Sequence, residues 1–179
     1  MPEAASLPEV ELRSYIREVP DYPKPGILFR DITPLLGNGR AFRTACAQLT
    51  ERFRSAEVGA VASIESRGFT FGAVIAFQLG VGVVPVRKAG RLPAAVFSSS
   101  YELEYGEAVL EIHQDAIAPG TKVLIVDDLL ATGGTALATL NLIDRLGGVA
   151  VGFGFVVELL ALQGRERLGD NRVEALLAL

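Results

Sequence analysis

Between residues 40 and 54 the apolar side chains Phe42, Ala45/Cys46, Leu49 and Phe53 recur at helical spacing, which predicts an amphipathic helix. Beyond it the pattern changes to short, continuous apolar runs. Ala60–Ile64, Val83–Val86, Lys122–Val126 and Val149–Val157 read as buried strands. Gly68–Leu79 and Thr135–Leu146, the latter closed by Gly147-Gly148, read as helices between them. Short apolar strands alternating with helices predict an α/β fold, with a central parallel sheet covered on both faces. Upstream, Val10, Tyr15, Ile16 and Val19 predict a short helix over residues 9–19, and Asp21-Tyr-Pro-Lys-Pro-Gly26 is a turn fixed by its prolines. Between Lys88 and Pro119 the alternation is interrupted. Ala94–Leu103 and Glu107–His113 read as two β-rich arms around Tyr105-Gly106, a hairpin inserted into the α/β unit where lids are often found. The last dozen residues carry no distinctive pattern, and one domain accounts for the 179 residues.

Composition removes several classes of function. Half of the residues are apolar and 21% are charged, which suits a globular protein and not a disordered one. A net charge of −4 argues against bulk nucleic-acid binding. Cys46, the one cysteine, falls in the apolar helical pattern and reads as a buried thiol, so no disulfide framework arises within the chain. His113 is the one histidine, which excludes a histidine-cluster metal site and disfavours a Ser-His-Asp triad. No apolar stretch is long enough to span a bilayer, and Met1–Val10 lacks the pattern of a secretory signal, so a cytoplasmic protein is expected.

The chemistry concentrates in Val123-Leu-Ile-Val-Asp-Asp-Leu-Leu-Ala-Thr-Gly-Gly-Thr135. A buried strand runs into two carboxylates, then a loop of small residues, then a helix. In open parallel sheets, ligands bind beyond the carboxyl ends of the strands. Ala131, Thr132, Gly133, Gly134 and Thr135 lead into a helix N-terminus, where backbone N–H groups and the helix dipole favour an anion the size of a monophosphate. No lysine follows these glycines, so a nucleotide-triphosphatase P-loop is excluded. Asp127 and Asp128 would repel a polyphosphate but can accept from the cis hydroxyls of a ribose. Diol on one side and phosphate on the other describe a ribose 5-phosphate. A bare Gly-Gly-Thr would read better as an ordinary strand-to-helix turn; the full run is more specific than that.

This run resembles the phosphoribosyl pyrophosphate (PRPP) motif of the type I phosphoribosyltransferases, in the wording of the adenine phosphoribosyltransferase family. Asp21–Leu36, Glu65–Phe69, Val86–Pro93, Tyr101–Gly106 and Val157–Leu159 resemble further segments of that family, in the same order. The resemblance implies a type I phosphoribosyltransferase fold, with residues 1–36 as a small hood that binds the base and residues 88–119 as a lid. It implies transfer of a phosphoribosyl group from PRPP to adenine, with AMP and pyrophosphate as products and Mg2+ carried mainly by the substrate.

The resemblance also implies roles for individual residues. Asp127, Asp128 and Ala131–Thr135 would hold the sugar phosphate. Ser66, Arg67, Arg87, Lys88 and Tyr105 would hold pyrophosphate, with a cis peptide between Ser66 and Arg67. Arg67, Lys88 and Glu104 would be catalytic, Glu104 by managing the protons of the imidazole edge of adenine. Leu28, Phe29 and Arg30, and more weakly Leu159, would form the adenine slot. A homodimer is implied, with Arg87 reaching toward the neighbouring active site. From residue type alone, Arg67 and Lys88 are ordinary solvated strand ends, Glu104 a surface turn, and Leu28 and Phe29 core packing. A phosphoribosyltransferase for xanthine, guanine or hypoxanthine shares the loop, and a PRPP-sensing regulator also keeps it. The short, non-basic region before the α/β core disfavours a regulator.

Overall fold

The structure, a computed structural model, describes residues 9–102 and 107–179 and contains two compact units, divided between Gln48 and Leu49. In the first, helix α1 (Glu9–Arg13) is followed by strand β1 (Arg17–Pro20), which pairs antiparallel with β2 (Leu28–Asp31). Helices α2 (Thr33–Gly37) and α3 (Gly39–Phe53) follow, and α3 runs on past the division. The helix expected over residues 9–19 therefore stops at Arg13. Pro20 disfavours helical backbone at Val19, and the turn after it returns the chain. Val19 consequently lies opposite Phe29 in a two-stranded sheet. Arg30 is ion-paired to its cross-strand neighbour Glu18. The Tyr22 and Phe29 rings meet edge to face with centroids 5.2 Å apart. Cys46 is buried, as its pattern predicts, and burial pushes its thiol up to about 12.

The second unit contains β3 (Ala60–Ile64), α4 (Gly68–Leu79), β4 (Gly82–Lys88), β5 (Val96–Glu102), β6 (Glu107–His113), β7 (Lys122–Leu130), α5 (Gly134–Arg145), β8 (Val149–Glu158) and β9 (Val173–Ala178). Two 3-10 turns, Leu160–Leu162 and Gly164–Leu168, precede β9. Among the described residues seven strands form one sheet in the order β5-β6-β4-β3-β7-β8-β9. The five strands from β4 to β9 run parallel, whereas the hairpin β5–β6 adds antiparallel strands beside β4. The sheet is therefore mixed, because the inserted hairpin lies in its plane. β9 was not legible: Val-Glu-Ala-Leu-Leu-Ala has no decisive period, and only an open edge beside β8 makes it a strand.

This topology positions the site. β3 is flanked by β4, which follows it in the chain, and by β7 on its other side, so the winding reverses at β3. Such a reversal leaves a crevice outside the carboxyl ends of the strands. The register aligns Ile64 with Val86 and Ser63 with Val126, so the residues after each position meet at one rim. α4 lies close against this sheet: a Cβ on Gly72 would stand 2.2 Å from the buried Ser63 hydroxyl oxygen and 2.7 Å from its Cβ. Gly72→Ala is expected to cost about 1–3 kcal/mol through overpacking. Urea denaturation should show a lower midpoint with an unchanged slope, and adding Ser63→Gly should restore part of the loss. A midpoint equal to wild type would refute the tight contact.

Candidate active site

β7 continues past the expected end at Val126 to Leu130, because β8 extends beside it: Asp127 lies opposite Phe155 and Leu130 opposite Glu158. Both aspartates are thus strand residues held by the ladder. Asp128 is 5% exposed and accepts a hydrogen bond from Arg67 Nε at 2.5 Å. Asp127 Oδ1 accepts from the Asp128 backbone N–H at 2.8 Å. Burial, and after it the adjacent Asp128 charge, pushes the Asp127 carboxyl well above the usual carboxylate range; the Asp128 N–H and the Arg67 charge oppose this only in part.

A raised folded-state value gives the sign of a pH effect. Asp127 favours the fold at low pH and progressively less as pH rises above its ordinary value of 3.8, because the folded state holds the proton more tightly. Asp127→Asn keeps an acceptor for the Asp128 N–H and removes the titrating charge. The stability difference, variant minus wild type, is therefore expected to grow in the variant's favour from about pH 4 upward. Urea titrations at several pH values measure it, and a difference independent of pH refutes the assignment.

The loop after β7 is three residues long. Gly133 precedes α5 with φ 82°, a left-handed conformation open to glycine at little cost, and its carbonyl accepts from Leu137 N–H at 2.9 Å. The first N–H groups of α5 have no acceptor within the helix, the condition for an anion site. Leu129, Ala131, Thr132, Gly133 and Thr135 line a small recess of about 60 Å³ at this point.

The opposite end of the rim comes from β3 and β4. Glu65 takes the Lys88 N–H at 3.0 Å and Arg87 Nε at 3.2 Å on one carboxylate oxygen. Burial raises the Glu65 carboxyl, but the Lys88 N–H and the Arg87 guanidinium outweigh it and hold the group below its ordinary value. In the sequence Glu65 belongs to a segment that resembles the family; its place across from Arg87 and Lys88, two expected pyrophosphate ligands, comes from the strand pairing. The cis peptide expected at Ser66–Arg67 lies one bond earlier, at Glu65–Ser66. Arg67 itself, at the N-cap position of α4, has helical angles, φ −68° and ψ −28°.

The structure brings Ser66, Arg67, Lys88, Asp127, Asp128, Ala131 and Thr135 around one cleft of about 370 Å³, with Glu65 and Tyr101 as further lining. Arg87 lies just behind this lining, bonded to Glu65 and to the Arg91 carbonyl. Gly134 is the first residue of α5 and lines a separate recess with Tyr101 and Arg167. Leu159 stands apart from the cleft lining, its N–H donated to the Leu130 carbonyl at 2.9 Å. Glu104 and Tyr105 lie outside the described residues. Leu28, Phe29 and Arg30 belong to the first unit, where Leu28 is 44% exposed.

Comparison with known proteins agrees with this geometry. The Phosphoribosyl transferase domain family matches residues 35–174. An adenine phosphoribosyltransferase of Acaryochloris marina is 57% identical over 93% of this chain and 98% of its own. The crystal structure of adenine phosphoribosyltransferase from Thermoanaerobacter pseudethanolicus superposes with a TM-score of 0.93 at 47% identity, covering 96% of this chain and 99% of that one. The Saccharomyces cerevisiae enzyme, solved with an imino-altritol bisphosphate and adenine, has a TM-score of 0.88 at 41% identity, covering 94% and 97%. A diacid within β7, a small recess at the start of α5 and likeness along nearly the whole chain have one common explanation: this chain belongs to the adenine phosphoribosyltransferase family.

Proposed function

We propose that the chain converts adenine and PRPP to AMP and pyrophosphate, in purine salvage. The carrying observation is that one cleft is lined by Asp127 and Asp128 of β7, by Ala131 and Thr135 of the α5 loop, and by Arg67 and Lys88. Acceptors, an anion loop and cations in one cleft suit a ribose diol, its 5-phosphate and its pyrophosphate. The adenine bound to the yeast relative supports the choice of base.

In the reaction, a ring nitrogen of adenine bonds to the anomeric carbon while the carbon–oxygen bond to pyrophosphate breaks. The electron pair leaves with pyrophosphate, and the proton of that nitrogen is lost. Positive charge develops on the sugar and negative charge on the leaving group. Arg67 and Lys88 neutralise the leaving group, and the fixed sugar ends orient the anomeric carbon. Mg2+ fits as a passenger on PRPP. Among the described residues no group of three or more potential ligand side chains could hold a metal. Asp128 and Glu65 are occupied by Arg67, Arg87 and the Lys88 amide. Such an ion, carried mainly by PRPP, would add positive charge at pyrophosphate.

Glu104 and Tyr105, which follow β5 in the sequence, act on adenine and pyrophosphate in this reading, with residues 88–119 as the lid. Leu28, Phe29 and Arg30 form the base slot, with Leu159 as its weaker member, so that the whole chain works as one catalytic domain. The chain acts in the cytoplasm; no helix among the described residues is long and apolar enough to cross a membrane. It works as a homodimer, a reading supported by Phe77 on α4, 86% exposed, and Val83 on β4, 43% exposed.

Protein, PRPP, magnesium and adenine mixed together should yield AMP, and omission of any one should abolish it. Much faster reaction with hypoxanthine or guanine than with adenine would overturn the base assignment.

A further inference from the structure

The 3-10 turn Gly164–Leu168, which carries Gly-Arg-Glu-Arg-Leu, touches the phosphate loop and has no place in the reaction described above. Gly164 is buried against that loop. A Cβ added to it would stand 2.1 Å from the Ala131 carbonyl oxygen and 2.9 Å from the Gly133 nitrogen. The contact is reciprocal: a Cβ on Gly133 would stand 2.4 Å from the Gly164 carbonyl oxygen. Backbone therefore meets backbone, with no side chain between that could yield. The loop cannot move toward the turn, and the turn cannot approach without deforming the loop.

The turn is itself anchored at both ends. Leu168 is buried in the same core cluster as Leu130 and Ala136, the residues on either side of the loop. Arg165 grips Glu158 with two hydrogen bonds, Nε to Oε1 at 2.9 Å and Nη2 to Oε2 at 2.5 Å, and donates to the Val173 carbonyl at 2.8 Å. Glu158 is 6% exposed and lies opposite Leu130, the residue before the loop begins. The planar guanidinium thus ties the turn to the end of β8 and the start of β9. A bidentate pair of this kind fixes orientation as well as distance.

We infer that Gly164 and Arg165 are positioning residues for the 5-phosphate: the turn they form is a backstop that sets the shape of the Ala131–Thr135 anion loop. This inference rests on the reading of that loop as the phosphate site. An anion held by several backbone N–H groups requires all of them to converge, so a displacement of a few tenths of an ångström weakens them together. The diol and pyrophosphate ends are held by β7, β3 and β4 and should be spared.

The test compares wild type with Gly164→Ala and Arg165→Gln in equilibrium binding of AMP, adenosine and pyrophosphate. AMP affinity should fall about tenfold or more in either variant, as for a misplaced binding group. Adenosine and pyrophosphate affinities should stay within about twofold, so preference for AMP over adenosine collapses; a general loss of structure would weaken all three alike. Arg165→Lys, which keeps the charge but not the paired geometry, should fall between Arg165→Gln and wild type. If Gly164→Ala does not fold, the arginine variants carry the same comparison. Wild-type preference for AMP in the folded variants overturns this inference alone. Wild-type protein that fails to distinguish AMP from adenosine overturns the phosphate reading as well.

Discussion

Asp128→Asn is expected to lower kcat/KM for PRPP about a hundredfold while leaving thermal stability nearly unchanged. Asp128 is 5% exposed and is held in the β7 ladder, so its carboxylate presents a fixed acceptor to the sugar. Hydrogen bonds to a charged group contribute roughly 1.5–3 kcal/mol each, and about 1.4 kcal/mol is a tenfold change in rate. Two hydroxyls on a free carboxylate would give a still larger loss. Arg67 already occupies one oxygen at 2.5 Å, however, and the sugar must share or displace it. That competition sets the expectation near a hundredfold. The stability cost is small because the Arg67 side chain, 45% exposed, can return to water. Asparagine keeps one acceptor and the same shape. PRPP titrations at saturating adenine, with a melting curve for the same sample, provide both quantities; an unchanged dependence on PRPP would remove Asp128 from the diol.

Legibility followed the range over which each feature is determined. α4 matches its expected limits, Gly68–Leu79, because a glycine-bounded apolar segment between two strands encodes its own ends. The first four parallel strands were legible because their apolar residues are contiguous, and the hairpin arms because β-rich runs flank Tyr105-Gly106. Features that depend on a distant partner were not. Arg17–Pro20 looks helical until β2 returns beside it, and β7 lengthens only because β8 continues alongside. Val173–Ala178 becomes a strand by joining an edge. At the site, acids, glycines and basic strand ends declared themselves by type and order. The pairing of Glu65 with Arg87 and the Lys88 amide required the β3–β4 register, which a motif does not contain. The backbone contact between Gly164 and Gly133 joins residues thirty-one apart, and composition offers no sign of it.

Arg67→Ala should lower kcat about a hundred- to a thousandfold, the range seen when one preorganised stabiliser of developing charge is removed. The residue caps α4 at the rim of the cleft, and its backbone carbonyl accepts from the Thr70 hydroxyl at 2.7 Å, so its main chain stays in place without the guanidinium. The single variant also leaves Asp128 buried without its ion-pair partner. Removing one member of a fully buried pair costs about 3–5 kcal/mol; here the exposed arginine reduces that to about 1–2 kcal/mol. Loss of activity alone could then reflect a disturbed Asp128. Combining Arg67→Ala with Asp128→Asn separates the two effects. The double variant no longer buries an unpaired charge, so its stability should return toward wild type, and the stability changes of the single variants should not add. Activity should stay at or below that of Arg67→Ala, because the positive charge facing pyrophosphate is still missing. The measurements are urea midpoints and single-turnover rates at saturating PRPP for the four proteins of the cycle. Recovery of the rate together with stability would show that Arg67 serves only to hold Asp128 and would end its assignment to the leaving group.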